Sequence, residues 1–264
     1  MDKNILELER QDYLTNIKSL LNDKKYEQLQ EKFKIRYTYE ALSIGGQNRV
    51  KQEDIKKIIA GEQLSQYGER ETKEIINHYK AILYVYQLVK NNEQMTEDVI
   101  KDIHEILVDG ILSGGSYRNV NIRIPGATHQ PPDYIKVYDR MKRYFYKLET
   151  YPGEAVEKAV FSHVELAKIH PFLDANGRLA RLVMNYYLMK ENYLPISMSS
   201  DMKDEYIKVL EIFKVEKDIK PFVDFVKLEL VKRYQEINEE LNERWFDHLF
   251  LLIVGIIEVI TLWN

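Results

Sequence analysis

Residues 170–181 read His170-Pro171-Phe172-Leu173-Asp174-Ala175-Asn176-Gly177-Arg178-Leu179-Ala180-Arg181. Before them, Ala155 to Ile169 carries apolar residues at helical spacing, and Pro171 should end or redirect that helix. A second helix is expected from Asp174 to Lys190, with Leu179, Leu182, Val183 and Tyr186 facing the core. The loop between them meets a helix N-terminus, whose unpaired N–H groups favour anions, and Gly177 permits close approach of phosphate oxygens. Arg178 and Arg181, three residues apart, can converge on one polyphosphate. Asp174 is a hard oxygen ligand suited to Mg²⁺, and His170 can be neutral near pH 7 and accept a proton from an attacking hydroxyl. Each residue singly also has an ordinary role as a cap, a turn former or a solvated cation. Together they point to a metal-bound polyphosphate held beside a nucleophile.

The 264 residues suffice for one sizeable core or two small domains, and 45% hydrophobic composition supports a folded interior. With 38 Lys plus Arg against 42 Asp plus Glu, the net charge of −4 gives no general attraction to nucleic acid, and no nucleic-acid partner is expected. The absence of Cys removes disulfides, thiol chemistry and zinc–thiolate sites. The N-terminal stretch MDKNILELERQDYL lacks a secretory signal's apolar core, so a cytoplasmic location is the expectation. Leu249 to Trp263 is almost wholly apolar but shorter than a membrane-spanning helix requires. It is expected to pack on the body or a partner, with a membrane-surface or short anchoring element, or an exposed, aggregation-prone end, as the alternatives.

Helical periodicity recurs at 53–60, 71–90, 97–109 and 134–148, and a long helix is expected from Pro221 through Leu230 to Glu239. The fold class is therefore all-α. The exception is 119–128, where Val120, Ile122 and Ile124 alternate with polar residues before Pro125-Gly126, as in a β-hairpin flap. Gly45, Gly46, Gly61, the 65–70 stretch and the run from Gly110 to Gly115 mark breaks.

The twelve-residue segment resembles the signature of Fic proteins, H-P-F-x-(D/E)-G-N-G-R-x-x-R, a family that commonly transfers AMP from ATP to protein hydroxyls. Every fixed position matches except Ala175, where the family usually has Gly. The related Doc toxins carry D-A-N-K-R there, with Lys in place of Gly177; they resemble kinases, and this chain is closer to the AMP-transferring branch. Weaker similarity surrounds the signature, from Gly115-Ser116-Tyr117-Arg118 through the 120–128 segment to Tyr187-Leu188-Met189, Tyr193-Leu194-Pro195-Ile196, Tyr206 and the run from Asp218 to Phe222. The resemblance implies a Fic fold: a helical bundle with a small flap. It divides the chain into an N-terminal helical segment (1–32), a catalytic region (33–228) and a helical extension with an apolar tail (229–264).

On this resemblance His170 is the base, Asp174 holds Mg²⁺, and Phe172, Asn176, Gly177, Arg178 and Arg181 form the ATP site, Phe172 by anchoring the loop. Ile122, Arg123 and Ile124 belong to the flap that holds a target protein by strand addition. The chain itself is a candidate target, through any exposed Tyr, and a homo-oligomer is a candidate assembly. Transfer of UMP or a phosphoryl group, or a catalytically weak nucleotide-binding regulator, are the alternatives.

Family members with an N-terminal inhibitory helix carry S/T-x-x-x-E-G/N. The corresponding run here is Tyr37-Thr38-Tyr39-Glu40-Ala41-Leu42-Ser43-Ile44-Gly45-Gly46-Gln47, which places Gly45 at the inhibitory glutamate and Ala41 at the Ser or Thr. The family glutamate pairs with the second signature arginine, so the resemblance implies that Arg181 is free to clamp ATP and that AMP removal is not the main activity. The remaining histidines form no zinc pattern. His163 is expected to pack or orient the site, and His129 to sit in an exposed loop.

Overall fold

The computed structural model describes residues 3–17, 24–45, 48–124 and 129–262, with side chains described as far as Leu241. Helix α1 (Lys3–Ile17) is followed by α2 (Lys24–Ser43), α3 (Gln52–Ile59), α4 (Glu69–Lys90) and α5 (Glu97–Val108). After a long connection come α6 (Val137–Glu149), α7 (Ala155–Ile169), α8 (Asn176–Lys190), α9 (Lys203–Glu216) and α10 (Lys220–Leu262).

The helices form where apolar residues recur on one face. In α2 the ladder Leu29, Phe33, Tyr37 and Ala41 is buried, and in α6 so are Val137, Met141, Tyr144 and Leu148. Helix α8 buries the expected Leu179, Leu182, Val183 and Tyr186, each at 2% exposure or less. Burying each such side chain contributes roughly 1.5–3 kcal/mol. Helices α7 and α8 pack along each other as the central hairpin; α4 and α5 lie against α8, while α6, α9 and α10 lie against α7. Helices α2 and α3 cover α4, and α1 lies along α10, where Tyr13 meets Tyr234.

The expected helices are present, α7 with the expected ends and others with shifted ones. Helix α4 begins at Glu69, inside the stretch expected to break structure, because the Glu71 carboxylate accepts from the Gly68 N–H and closes the N-terminus. Helix α8 begins two residues later than expected, because Ala175 adopts a left-handed conformation (φ 58°). The divisions expected after residues 32 and 228 both fall inside continuous helices, α2 and α10.

Among the described residues there is no strand. Residues 119–124 are irregular, and 125–128, the remainder of the expected hairpin, lie outside the described residues. Side chains anchor this segment: the Arg118 guanidinium donates to the Val120 carbonyl, and the Asn121 side chain accepts from the Tyr134 N–H while donating to the Asp133 carboxylate. The backbone of the apolar tail is helical to Leu262, while the side chains beyond Leu241, and Trp263, lie outside the described residues. Among those described, no helix is long and apolar enough to cross a membrane.

Candidate active site

Two left-handed residues, neither of them glycine, bracket the signature loop. His170 (φ 52°) closes α7, its N–H donating to the Leu166 carbonyl at 2.9 Å, and Pro171 cannot continue the helix. Ala175 (φ 58°) opens α8. Such conformations cost on the order of 1 kcal/mol or more for a residue with a Cβ, and persist only where surrounding contacts impose them.

Those contacts are on hand. Phe172 is fully buried, stacked on the His104 ring from α5 at 3.8 Å between centroids and tilted against Tyr117. The Asn176 amide laces the loop from within, accepting from the Phe172 N–H and donating to the Phe172 carbonyl, both at 2.9 Å. Arg118, buried, spans three segments: Nε donates to the His170 carbonyl at 2.9 Å, and the other two guanidinium nitrogens donate to the Val120 and Pro132 carbonyls. Its own N–H donates to the Pro171 carbonyl. Phe172 and Asn176 thus hold the loop's shape; Phe172 has no surface with which to touch a nucleotide. Arg118, His104 and Asn176 position, and the rest of the loop faces a cleft.

That cleft has a volume of about 680 Å³, and His170, Asp174, Gly177, Arg178, Arg181 and Gly45 all contribute to its wall. Ile122, Arg123 and Ile124 line it as well, so the described part of the flap segment borders the signature loop. His170 Nδ1 lies 3.1 Å from the Ala167 carbonyl. Since a carbonyl only accepts, Nδ1 carries the hydrogen and Nε2 is left with its lone pair. Burial, with Lys214 and Arg118 nearby, pushes the imidazole down to about 4, so it is neutral at pH 7.

Asp174 uses Oδ1 to accept from the Ala175 N–H at 2.6 Å, and Oδ2 accepts from Arg70 of α4 at 2.8 Å. Arg178 lies 3.6 Å from Asp174 and 3.7 Å from the buried Glu74 of α4, and its Nη1 is buried with no hydrogen-bond partner. Burial disfavours the Arg178 cation, and Glu74 and Asp174 act against that. Arg181 is not free: it is buried and donates from Nη2 to the Ala41 carbonyl at 2.8 Å, while Nε has no partner. Ala41 is in the last turn of α2, whose carbonyls carry the helix's partial negative charge, so a neutral acceptor engages Arg181 here. Gly177 stands in the first turn of α8, where an added Cβ would come within 3.3 Å of Arg181 Nη1. Its lack of a side chain gives that guanidinium room.

The donor set suits a magnesium-carried polyphosphate. Asp174 presents one hard oxygen to which a cation, Arg70, is already bound, and Arg178 and Arg181 each have a buried N–H group without a partner. Among the described residues no group of three or more His, Asp or Glu is gathered to hold a metal. A metal at Asp174 would therefore take its other ligands from phosphate and water, as Mg²⁺ commonly does.

The sequence reading missed Arg70, Glu74 and His104, and it named Arg118 only by resemblance. Arg70 and Glu74 stand i, i+4 in a run of alternating charge, the pattern of any solvated helix face. His163 is buried, pairing with the Tyr206 hydroxyl at 3.0 Å and packing on Phe222, which is a packing role. His129 is half-buried, with Nε2 3.3 Å from the Lys168 carbonyl.

Residues 94–188 match the model of the Fic/DOC family. Protein adenylyltransferase Fic of Aedes aegypti is 30% identical over 162 residues, 59% of this chain and 32% of that protein. Its counterpart in Drosophila persimilis is 29% identical over 161 residues, 59% of this chain and 31% of the relative. The match thus spans about a third of the length of these relatives. A Fic domain containing signaling protein from Bacteroides thetaiotaomicron superposes with a TM-score of 0.78 at 22% identity, covering 89% of this chain and 97% of the other. Fic-1 from C. elegans does so at 0.74 and 22% identity, covering 90% and 71%. The chain thus has a Fic fold, and its residues 94–188, which carry the left-handed signature loop and most of the helices around the cleft, are similar to the Fic/DOC family.

Proposed function

We propose that this protein is an adenylyltransferase that moves AMP from MgATP to a Ser, Thr or Tyr hydroxyl of a protein. The observation that carries the reading is the pairing, in one cleft, of an imidazole with a free Nε2 and two guanidiniums, Arg178 and Arg181, each with a buried N–H group that has no partner. The relatives named protein adenylyltransferase support the same assignment.

In this reading Arg178, Arg181 and the N–H groups at the start of α8 bind the polyphosphate, and Asp174 holds Mg²⁺, which neutralises charge on it. His170 Nε2 takes the proton as the target oxygen bonds to the α-phosphorus; the bond from that phosphorus to the β-phosphate's bridging oxygen breaks, and pyrophosphate leaves. Residues 122–124 align the target chain beside His170. Exposed tyrosines such as Tyr138 and Tyr146 are acceptors if the chain modifies itself. Gly45 leaves the cleft without the carboxylate that the family uses as a restraint, so no activating partner is needed.

Label transfer from α-labelled but not γ-labelled ATP is expected, with cell extract as the source of targets. Transfer of the γ label instead would make the enzyme a kinase. His170→Ala is expected to lower the rate at least a hundredfold, the scale of general-base catalysis. Unchanged labelling by that variant would remove His170 as the base.

A further inference from the structure

Four charged side chains close one end of the cleft. Arg70 Nη2 donates to Asp174 Oδ2 at 2.8 Å, and Arg70 Nε donates to Glu74 Oε1 at 3.4 Å. The same Glu74 oxygen lies 3.7 Å from Arg178 Nη2, and Glu74 Oε2 accepts from Asn48 Nδ2 at 3.2 Å. Two cations thus balance two carboxylates. Asp174 Oδ1 is committed to the Ala175 N–H, so Oδ2, the oxygen Arg70 holds, is the better placed to receive a metal. Arg70 and Glu74 are one helical turn apart on α4, so a cation and an anion on one rigid element face the carboxylate and the guanidinium of the signature.

Resting on the adenylyltransferase reading, we propose that Arg70 competes with the divalent cation for Asp174, and that Glu74 is the partner that keeps Arg70 when the metal takes its place. The charges decide the exchange. A doubly charged ion gains more from Asp174 Oδ2 than a guanidinium can, and Arg70, whose side chain is 56% exposed, moves off without burying a charge. Phosphate arriving at Arg178 likewise loosens its long contact with Glu74, leaving that carboxylate to Arg70. Arg70 would thereby set how much Mg²⁺ the nucleotide needs in order to bind, although it is not a catalytic residue.

The test is binding of α,β-methylene ATP, which cannot be cleaved at the reacting bond, measured calorimetrically across a series of MgCl2 concentrations for the wild type, Arg70→Met and Arg70→Lys. Thermal unfolding of each variant checks that the fold is kept. Arg70→Met is expected to lower the Mg²⁺ concentration at half-saturation by about threefold to fivefold, the scale of a largely exposed ion pair, and Arg70→Lys by less. Direct Mn²⁺ binding in the presence of the analogue, read by electron paramagnetic resonance, is expected to tighten in parallel. An unchanged or raised metal midpoint in Arg70→Met overturns the proposal and leaves the nucleotide reading standing. Failure of the analogue to bind the wild type at any metal concentration overturns both.

Discussion

Ala175 is the one fixed position at which this chain departs from the Fic signature, and its backbone explains why glycine is usual there. At φ 58° a Cβ crowds the neighbouring carbonyl, a strain glycine avoids. Ala175→Gly is expected to raise stability by up to about 1 kcal/mol, offset in part by the greater freedom of the unfolded chain, and to leave labelling intact. A fall in the urea midpoint would show that the buried methyl contributes more than the strain. Gly45 is the complementary case. Its φ is ordinary, and an added Cβ would meet only the Leu42 carbonyl, at 3.4 Å. A Cβ at position 45 therefore needs no backbone movement, and Gly45→Glu brings a carboxylate to the cleft wall shared with Arg181. ATP-dependent labelling is expected to fall at least tenfold with little change in Tm, and undiminished labelling would dismiss Gly45 as a lost restraint. At this scale the signature chemistry was legible because its residues are contiguous. The hold of Ala41 on Arg181 was not, since a backbone carbonyl leaves no mark in the residue types.

Between elements, Arg118 does what no single helix can, fastening the end of α7, the 119–124 segment and the residues before α6 by donating to three carbonyls. A buried carbonyl deprived of its donor costs about 1–3 kcal/mol. Arg118→Ala is therefore expected to lower stability by at least about 2 kcal/mol and the turnover rate more than tenfold, with a smaller effect on the KM for ATP, because the loop carrying His170 loses its tether. Arg118→Lys, which cannot make a fork, should recover stability in part and the rate hardly at all. Loss confined to the KM would mean that Arg118 serves nucleotide binding instead. The helices themselves were readable from three-and-four spacing, and the α7 boundaries match the expectation at both ends. The flap was read from alternation and from resemblance, neither of which reveals that the Arg118 guanidinium takes the Val120 carbonyl and that the Asn121 side chain is tied to residues 133 and 134.

Across the whole molecule, distant residues meet in ways that spacing along the chain does not encode: α1 reaches α10 more than two hundred residues away, and Arg70 reaches Asp174 across 104 positions. One consequence concerns the buried histidines. His78 and His163 are fully buried and His104 nearly so. Burial is the leading cause that drives His78 well below 6.5, His104 down to about 4 and His163 down to about 3. Between pH 6.5 and about 4 the unfolded chain binds protons at these positions and the folded one does not, so stability rises with pH in that window. Their contribution is fully present above pH 6.5 and is lost as the pH falls through the folded values. Each histidine adds a slope of up to about 1.4 kcal/mol per pH unit, so the three together can draw on a large share of the roughly 5–15 kcal/mol that holds a domain folded. Urea midpoints measured from pH 7.5 to 5 are expected to fall steadily below pH 6.5, before carboxylate titration dominates. Replacing His163 by Phe, which keeps the ring against Phe222 but loses the Tyr206 bond, should flatten the profile even where it lowers stability at pH 7. A profile that stays level to pH 5 in the wild type would mean that these imidazoles reach protons in the folded state, and the burial account would fail.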